Sequence, residues 1–309
     1  MNISVIDPIS RALAYTMRIL FQPFDLGKWC VLGFTAFIAL LGDGGGGIGG
    51  GFNIPNGAGR NNKINGDQVI TFITDHLVLI GGIAVVVIVL ALALSALLLW
   101  LGSRGKFMFL DNVAHNRAEV VAPWHYFRRL GNSLFVFEFL LTVVIFLLVL
   151  LVLAGGVAIA WRDIAERVFR EAALGAVIEA VLGLALIVCV AAVVKSVMRH
   201  FVVPVMYLRN LPVLAALRVF GDELLADHVW IFVKFLLMCL VLGIATGALI
   251  LLVGCCTCCI GCCLMAIPYL GTVLLLPVIV FWRCYALYFL EQFGAQWRVI
   301  AAPAAPVAL

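Results

Sequence analysis

The chain has 309 residues, of which 65% are hydrophobic and only 12% are charged, whereas a soluble domain carries roughly 25% charged residues. With a mean hydropathy of +1.19, the sequence has too little polar surface to cover a water-soluble core, so we predict an integral membrane protein of the all-α class. The formal net charge of +4 is small and spread along the chain, which argues against nucleic acid as a partner.

Six apolar segments are candidates to cross a bilayer, for which a helix needs about 20 residues. The first, residues 26–42, is short, but Lys28 stands near its start and a glycine- and asparagine-rich loop, residues 42–66, follows it. The other five are longer and cover residues 76–101, 134–160, 173–194, 230–254 and 264–290. We therefore predict six transmembrane helices.

The distribution of basic residues predicts the orientation, because cytoplasmic loops carry an excess of Lys and Arg. With six spans, fourteen of the 20 Lys and Arg residues fall on the side of the N-terminus and five fall on the other side, while Lys234 lies within a span. We expect both termini to face the cytoplasm and the outer loop to lie across the membrane from them.

Two predicted cytoplasmic connections have similar sequences, which indicates an internal repeat. Residues 128–134 read RRLGNSL and residues 218–224 read RVFGDEL, and Pro123 and Pro212 precede them, where the first turn of a helix tolerates proline. A weaker third copy begins near Pro8. The alternative is chance similarity among leucine-rich segments. We predict a single membrane domain of three parallel units, each an interfacial amphipathic helix followed by a two-span hairpin, over residues 8–112, 117–210 and 211–292, with a C-terminal tail over residues 293–309.

The N-terminal region resembles a known family. Residues 21–29, FQPFDLGKW, are followed by a short apolar segment and by the run GDGGGG at residues 42–47. This pattern is similar to that of an uncharacterised family of prokaryotic multipass membrane proteins, known only as a domain of unknown function. The layout is also weakly similar to the membrane domain of glycerophosphodiester phosphodiesterases. The resemblance implies a six-span protein of the prokaryotic cytoplasmic membrane and implies no catalytic residue.

Glu138 and Lys234 are ionisable residues at matching positions near the starts of the third and fifth predicted spans. Because an ionisable group inside a membrane is costly and usually has a partner, we predict an ion pair between them. This pair either clamps two helices together, which we favour, or belongs to an ion or proton pathway. Alternatively, Lys234 extends to the interface without touching Glu138.

Glu179 is a second candidate polar site, about two turns into the fourth predicted span. It can bind a cation or relay a proton, or it can pair with Arg167 and Arg170 just before that span. We favour the pairing with arginine, because an isolated carboxylate in a membrane is unfavourable.

A run of cysteines follows the fifth predicted span. Its overlapping C-x-x-C spacings suit zinc or an iron–sulfur centre, and a position on the outer side of the membrane also permits disulfides. We favour a third interpretation, in which cysteine is a small apolar residue in a tight hairpin, so that no cofactor is expected. The run comprises Cys255, Cys256, Cys258, Cys259, Cys262 and Cys263.

The sequence contains no Ser/His/Asp grouping, no H-E-x-x-H motif and no paired carboxylates, so we expect no enzyme. We favour a membrane scaffold or assembly component that contacts lipid and associates with itself or with a membrane protein partner, because spans rich in Leu, Val and Gly pack against other helices. The alternative is a transporter or channel for a small solute or ion, since Pro204, Pro268 and Pro277 break or bend helices, as in the discontinuous helices of transporters.

Overall fold

The computed structural model describes residues 3–43, 77–166, 171–226, 228–257, 265 and 267–300. These residues form helices joined by short turns, and no β-strand occurs among them. Four of the described helices are long and apolar enough to cross a membrane. The predicted all-α class is therefore confirmed, and the four long apolar helices suggest a membrane protein.

The helices follow the order expected from the apolar segments. In chain order they are α1 (Asp7–Phe21), α2 (Leu26–Leu41), α3 (Leu77–His115), α4 (Val121–Tyr126), α5 (Arg128–Glu166), α6 (Glu171–Val197), a π-helical turn (Met198–Val202), α7 (Val203–Arg209), α8 (Val213–Val219), a second π-helical turn (Phe220–Leu225), α9 (Val229–Cys256), α10 (Pro268–Leu274), α11 (Leu276–Glu291) and a 3₁₀ turn (Ala295–Trp297).

Local sequence signals explain several of these boundaries. The Asp25 side chain caps α2, since its carboxylate accepts hydrogen bonds from the backbone N–H groups of Gly27 at 2.8 Å and Lys28 at 3.3 Å. After α3 and after α7 the next residues, Asn116 and Asn210, adopt left-handed backbone conformations with φ of 54° and 51°. Asparagine tolerates this conformation, which ends a helix.

Two of the six predicted spans are shorter helices in the structure. α2 has 16 residues and is about 24 Å long, less than the hydrocarbon thickness of about 30 Å. The predicted sixth span, residues 264–290, is interrupted at Leu275, which separates the 7 residues of α10 from the 16 residues of α11. Within the described residues, spanning length is thus reached by α3, α5, α9 and the continuous α6–α7 segment.

The long helices each have one buried part and one exposed apolar part. In α3, Phe107 and Leu110 are fully buried, whereas Val85 and Leu90 are 61% and 64% exposed. The same change occurs between Leu186 in α6, which is exposed, and the buried residues of α7. Exposed apolar helix surfaces of this length are typical of contact with lipid.

The buried parts meet in one core that contains a cluster of aromatic rings. The ring centroids of Phe201 and Phe235 are 4.9 Å apart, and those of Phe235 and Phe289 are 4.4 Å apart. Tyr285 stacks on Phe235 at 5.2 Å. These contacts join the π-helical turn after α6 to α9 and α11, and they fix the frame in which the polar residues of the core are held.

Candidate functional site

A group of charged residues, three of them largely buried, lies where α2, α3, α5 and the first π-helical turn meet. The Lys106 ammonium lies 2.9 Å from an oxygen of Asp43 and 2.5 Å from an oxygen of Glu138. The second oxygen of Asp43 accepts a hydrogen bond from the guanidinium of Arg199. We call Asp43, Lys106, Glu138 and Arg199 the ionic cluster.

Glycine residues on α3 allow α2 to come close enough to form this cluster. A Cβ atom added to Gly105 would lie 2.6 Å from the backbone nitrogen of Ala39, and one added to Gly102 would collide with the backbone of Gly42. The two helix backbones are therefore in direct contact at these positions. This contact places Asp43, the second residue after α2, beside the following turn of α3, where Lys106 lies.

The electrostatics of the cluster follow from its burial. The Lys106 side chain is 4% exposed, and those of Asp43 and Glu138 are each 13% exposed. Burial raises the pKa of the Asp43 carboxyl, but Lys106 and Arg199 lower it by more, so the pKa lies below its usual range. Ser103 adds a hydrogen bond to Glu138 at 3.1 Å. Asp43 is therefore held as a carboxylate between two cations.

The cluster lies well inside the helices that carry it. Lys106 precedes the end of α3 at His115 by nine residues, and Glu138 follows the start of α5 at Arg128 by ten. At 1.5 Å per residue, these charges lie about 14–15 Å along their helices from the predicted cytoplasmic ends. Ionisable residues at such positions in a membrane protein mark functional sites more often than residues at helix ends do.

Two further polar residues lie beside the cluster, one on α11 and one in the π-helical turn. Arg283 on α11 is 7% exposed and donates a hydrogen bond of 2.9 Å to the backbone carbonyl of Arg199. His200 is 9% exposed and packs against the rings of Phe235 and Trp282. A π-helical turn widens a helix locally and occurs often at functional sites.

A cavity of about 450 Å³ is lined by residues of α2, α9 and α11 and by these polar residues. We call it the groove. Its charged and imidazole residues are Asp43, Lys106, Arg199, His200 and Arg283, and we call them its floor. Its walls are mainly apolar or small and include Ala36 and Leu40 from α2, Gly243, Gly247 and Ile250 from α9, and Val278 and Ile279 from α11. The volume lies in the range of about 300–1,000 Å³ typical of small-molecule sites.

The predicted ion pair between Glu138 and Lys234 is wrong. In the structure the partner of Glu138 is Lys106, and Lys234 is an exposed residue of α9 that makes no ion pair with Glu138. Matching positions in the sequence predict that the two residues lie at similar depth in the membrane. They do not predict the direction in which each residue faces around its helix axis. Lys106 points toward α5, and Lys234 lies on the exposed surface of α9.

The remaining predicted site residues have separate positions. Glu179 is exposed on α6, and its carboxylate would lie 3.5 Å from a Cβ atom on Gly155 of α5, while Arg167 and Arg170 lie outside the described residues. Cys255 and Cys256 are exposed free thiols. The other four cysteines of the run, Cys258, Cys259, Cys262 and Cys263, lie outside the described residues, so the disulfide and metal interpretations stay predictions.

Two of the three prolines predicted to interrupt helices stand at helix starts. Pro268 and Pro277 lie in the first turns of α10 and α11, where a proline removes no intrahelical hydrogen bond. Pro204 directly follows the π-helical turn inside the continuous α6–α7 segment, where it lacks the N–H group of a helical hydrogen bond. The predicted interruption of the sixth apolar segment is therefore confirmed, at Leu275.

Sequence reasoning missed most of the ionic cluster because its members had been assigned to loops or to helix ends. Lys106 follows the predicted end of a span by five residues, yet α3 continues to His115. Arg283 carried a usable signal, because it stands within the predicted sixth span, where an arginine is costly. Asp43 stands at the start of the glycine run and gave no signal of its own.

Replacing Lys106 by Met leaves the carboxylates of Asp43 and Glu138 buried beside each other without the cation between them. Removing one partner of a buried ion pair costs about 3–5 kcal/mol, so we expect a clearly lower midpoint of thermal unfolding in detergent, and partial recovery when Glu138→Gln is added. Lys234→Met is the matched control, because this lysine is exposed and we expect only a small change. Equal losses in both single variants would contradict the ionic cluster.

Comparison with known proteins gives one match. The sequence model of a family of unknown function, DUF7544, matches residues 3–276, which include α1 to α10 and the ionic cluster. Comparisons with curated proteins and with solved structures found no match. The family match covers nearly the whole chain and confirms the resemblance to an uncharacterised family. The chain therefore belongs to the family of unknown function DUF7544.

Proposed function

We propose that the protein is a self-associating scaffold of the prokaryotic cytoplasmic membrane, which assembles with copies of itself or with another membrane protein. The observation that carries this proposal is the lack of burial in the long helices. In none of the four is more than 11% of the most apolar 18-residue window buried within the chain. Lipid and the spans of other chains are left to cover these exposed surfaces.

We further propose that the chain crosses the membrane six times, as three parallel units with both termini in the cytoplasm. Short helices stand at the start of each unit: α1, α4 and α8. The second helix of each unit is followed within three residues by a residue with positive φ: Asn116, Asn210 and Gly294. Such shared helix ends support a repeat, although α4 and α8 are less than half as long as α1. A locally thinned bilayer accommodates a segment as short as α2.

The topology is tested with a site-specific protease. A recognition sequence inserted after Asn56, in the loop over residues 42–66, should be cut when the protease is added outside intact spheroplasts, because the proposed six-span topology puts this loop outside. The same sequence inserted after Ala118 is the control and should be cut only after the membrane is permeabilised. Protection of both sites in intact spheroplasts would mean that α2 does not cross the membrane.

The scaffold proposal assigns self-association to the outer face of α9. On α5 and α6, close packing occupies part of the surface, since a Cβ on Gly183 would lie 2.9 Å from Val152. On α9 the face opposite the groove, which includes Val241 and Ile244, is exposed. We therefore expect the spans of neighbouring copies to meet at this face.

Native mass spectrometry of the protein released from nanodiscs measures this association. We expect oligomers of the wild type and a several-fold smaller oligomer fraction for Val241→Trp/Ile244→Trp, because a bulky ring blocks close helix approach. Leu182→Trp/Leu186→Trp is the matched control, since both leucines are exposed on α6, and it should leave the oligomers intact. A wild type that is monomeric throughout contradicts the scaffold, and equal effects of both variants contradict the assignment to α9.

A second candidate function is transport of a small solute or ion, and the ionic cluster is the observation that favours it. Buried charges lie beside a π-helical turn, and the sixth apolar segment is interrupted at Leu275, as in transporters with discontinuous helices. The scaffold proposal predicts no saturable flux when the purified protein in liposomes is given a panel of ions and small solutes. Saturable flux that Lys106→Met abolishes, and Lys234→Met preserves, would replace the scaffold by a transporter.

A further inference from the structure

Arg283 is a buried cation without a carboxylate partner in the described part of the chain. Its one hydrogen bond to a described residue runs from Nη1 to the backbone carbonyl of Arg199. The guanidinium also lies 5.9 Å from the centre of the Phe109 ring. An arginine has five N–H donors, and the other four form no hydrogen bond to a residue that the structure describes, so they are available to a group that enters the groove.

The buried charges of the ionic cluster are already paired with one another, which leaves Arg283 without a counter-ion. Lys106 lies between Asp43 and Glu138, and Arg199, whose side chain is 40% exposed, also contacts Asp43. Arg283 is 7% exposed. A buried charge without a counter-ion is unfavourable, so an anion bound beside Arg283 would stabilise it.

His200 provides a second, independent observation at the same floor. Its Nδ1 atom is buried and has no hydrogen-bond partner in the described part of the chain. Buried polar atoms are almost always hydrogen-bonded. His200 therefore has unused hydrogen-bonding capacity next to Arg283 in the lining of the groove.

The walls of the groove suit a hydrocarbon chain. A Cβ atom added to Gly243 or to Gly247 would meet no heavy atom within 4 Å, so the two glycines leave open space along α9. Leu40 and Ile279 supply apolar surface on the other walls. Both glycines are exposed residues of a helix that faces lipid, and the groove is therefore accessible from the bilayer.

We propose that the groove binds one anionic phospholipid, with its phosphate on Arg283 beside His200 and one acyl chain along Gly243 and Gly247. A phosphate accepts paired hydrogen bonds from a guanidinium and supplies the missing negative charge. The combination of a cationic floor with an apolar wall open to the bilayer selects an amphiphile over a water-soluble anion. The site goes beyond the scaffold function and does not depend on it, because a single chain forms the whole groove.

Lipid binding is measured by native mass spectrometry and by thermal unfolding, with phosphatidylglycerol compared with phosphatidylcholine of the same acyl chains. We expect the wild type to retain one phosphatidylglycerol and to be stabilised by it. Arg283→Met should lower the affinity about tenfold or more, since it removes charge-assisted hydrogen bonds, while its unfolding midpoint without anionic lipid should not fall. Arg218→Met is the control for general charge, because Arg218 is exposed on α8.

A second variant tests the acyl chain independently of charge. Gly243→Leu fills the groove and should lower retention of phosphatidylglycerol several-fold. Gly175→Leu is the matched control, because a Cβ there also meets no heavy atom within 4 Å but lies on α6, outside the groove. Equal retention of both lipids by the wild type, or an unchanged preference in Arg283→Met, overturns the proposal. Inorganic phosphate that stabilises wild type and Gly243→Leu alike, with no effect of lipid, would mean a site for free phosphate and overturns it too.

Discussion

The Lys106 ammonium between the carboxylates of Asp43 and Glu138 is the interaction on which the arrangement of the helices depends. It joins the end of α2 to the middle of α3 and to α5, three segments far apart in the sequence. A buried ion pair contributes little net stability, because desolvation of the charges offsets most of their attraction. Its importance lies in specificity: an alternative packing of α2 would leave one of these charges buried and unpaired.

The division of each long helix into a buried part and an exposed part places the charges at a boundary. On one side of the ionic cluster, aromatic rings such as Phe201 and Phe235 pack at the density of a protein core. On the other side, apolar side chains such as Leu90 and Leu186 are mostly exposed. A binding site at this boundary has access both to fixed charge and to hydrocarbon, which is the combination that an amphiphilic molecule requires.

Composition was sufficient to predict the all-α membrane class, because no soluble fold tolerates so few polar residues, and apolar run length was sufficient to locate the four long helices. The interruption near Pro268 and Pro277 was also predictable, since proline favours helix starts. The ionic cluster was not predictable. A span predicted from hydropathy ends where charged residues begin, whereas α3 continues through Lys106 to His115. The error in pairing Glu138 with Lys234 has the same origin: position along a helix can be read from the sequence, but rotation about its axis is set by packing.

The backbone contact between Gly42 and Gly102 limits how the protein can change shape. With no side chain between them, α2 and α3 can neither slide nor roll past each other without a clash, and Asp43 is carried along with them. These two helices therefore behave as a rigid strut. A change in the width of the groove is therefore expected to come from its other walls, α9 and α11, the second of which begins just after the interruption at Leu275.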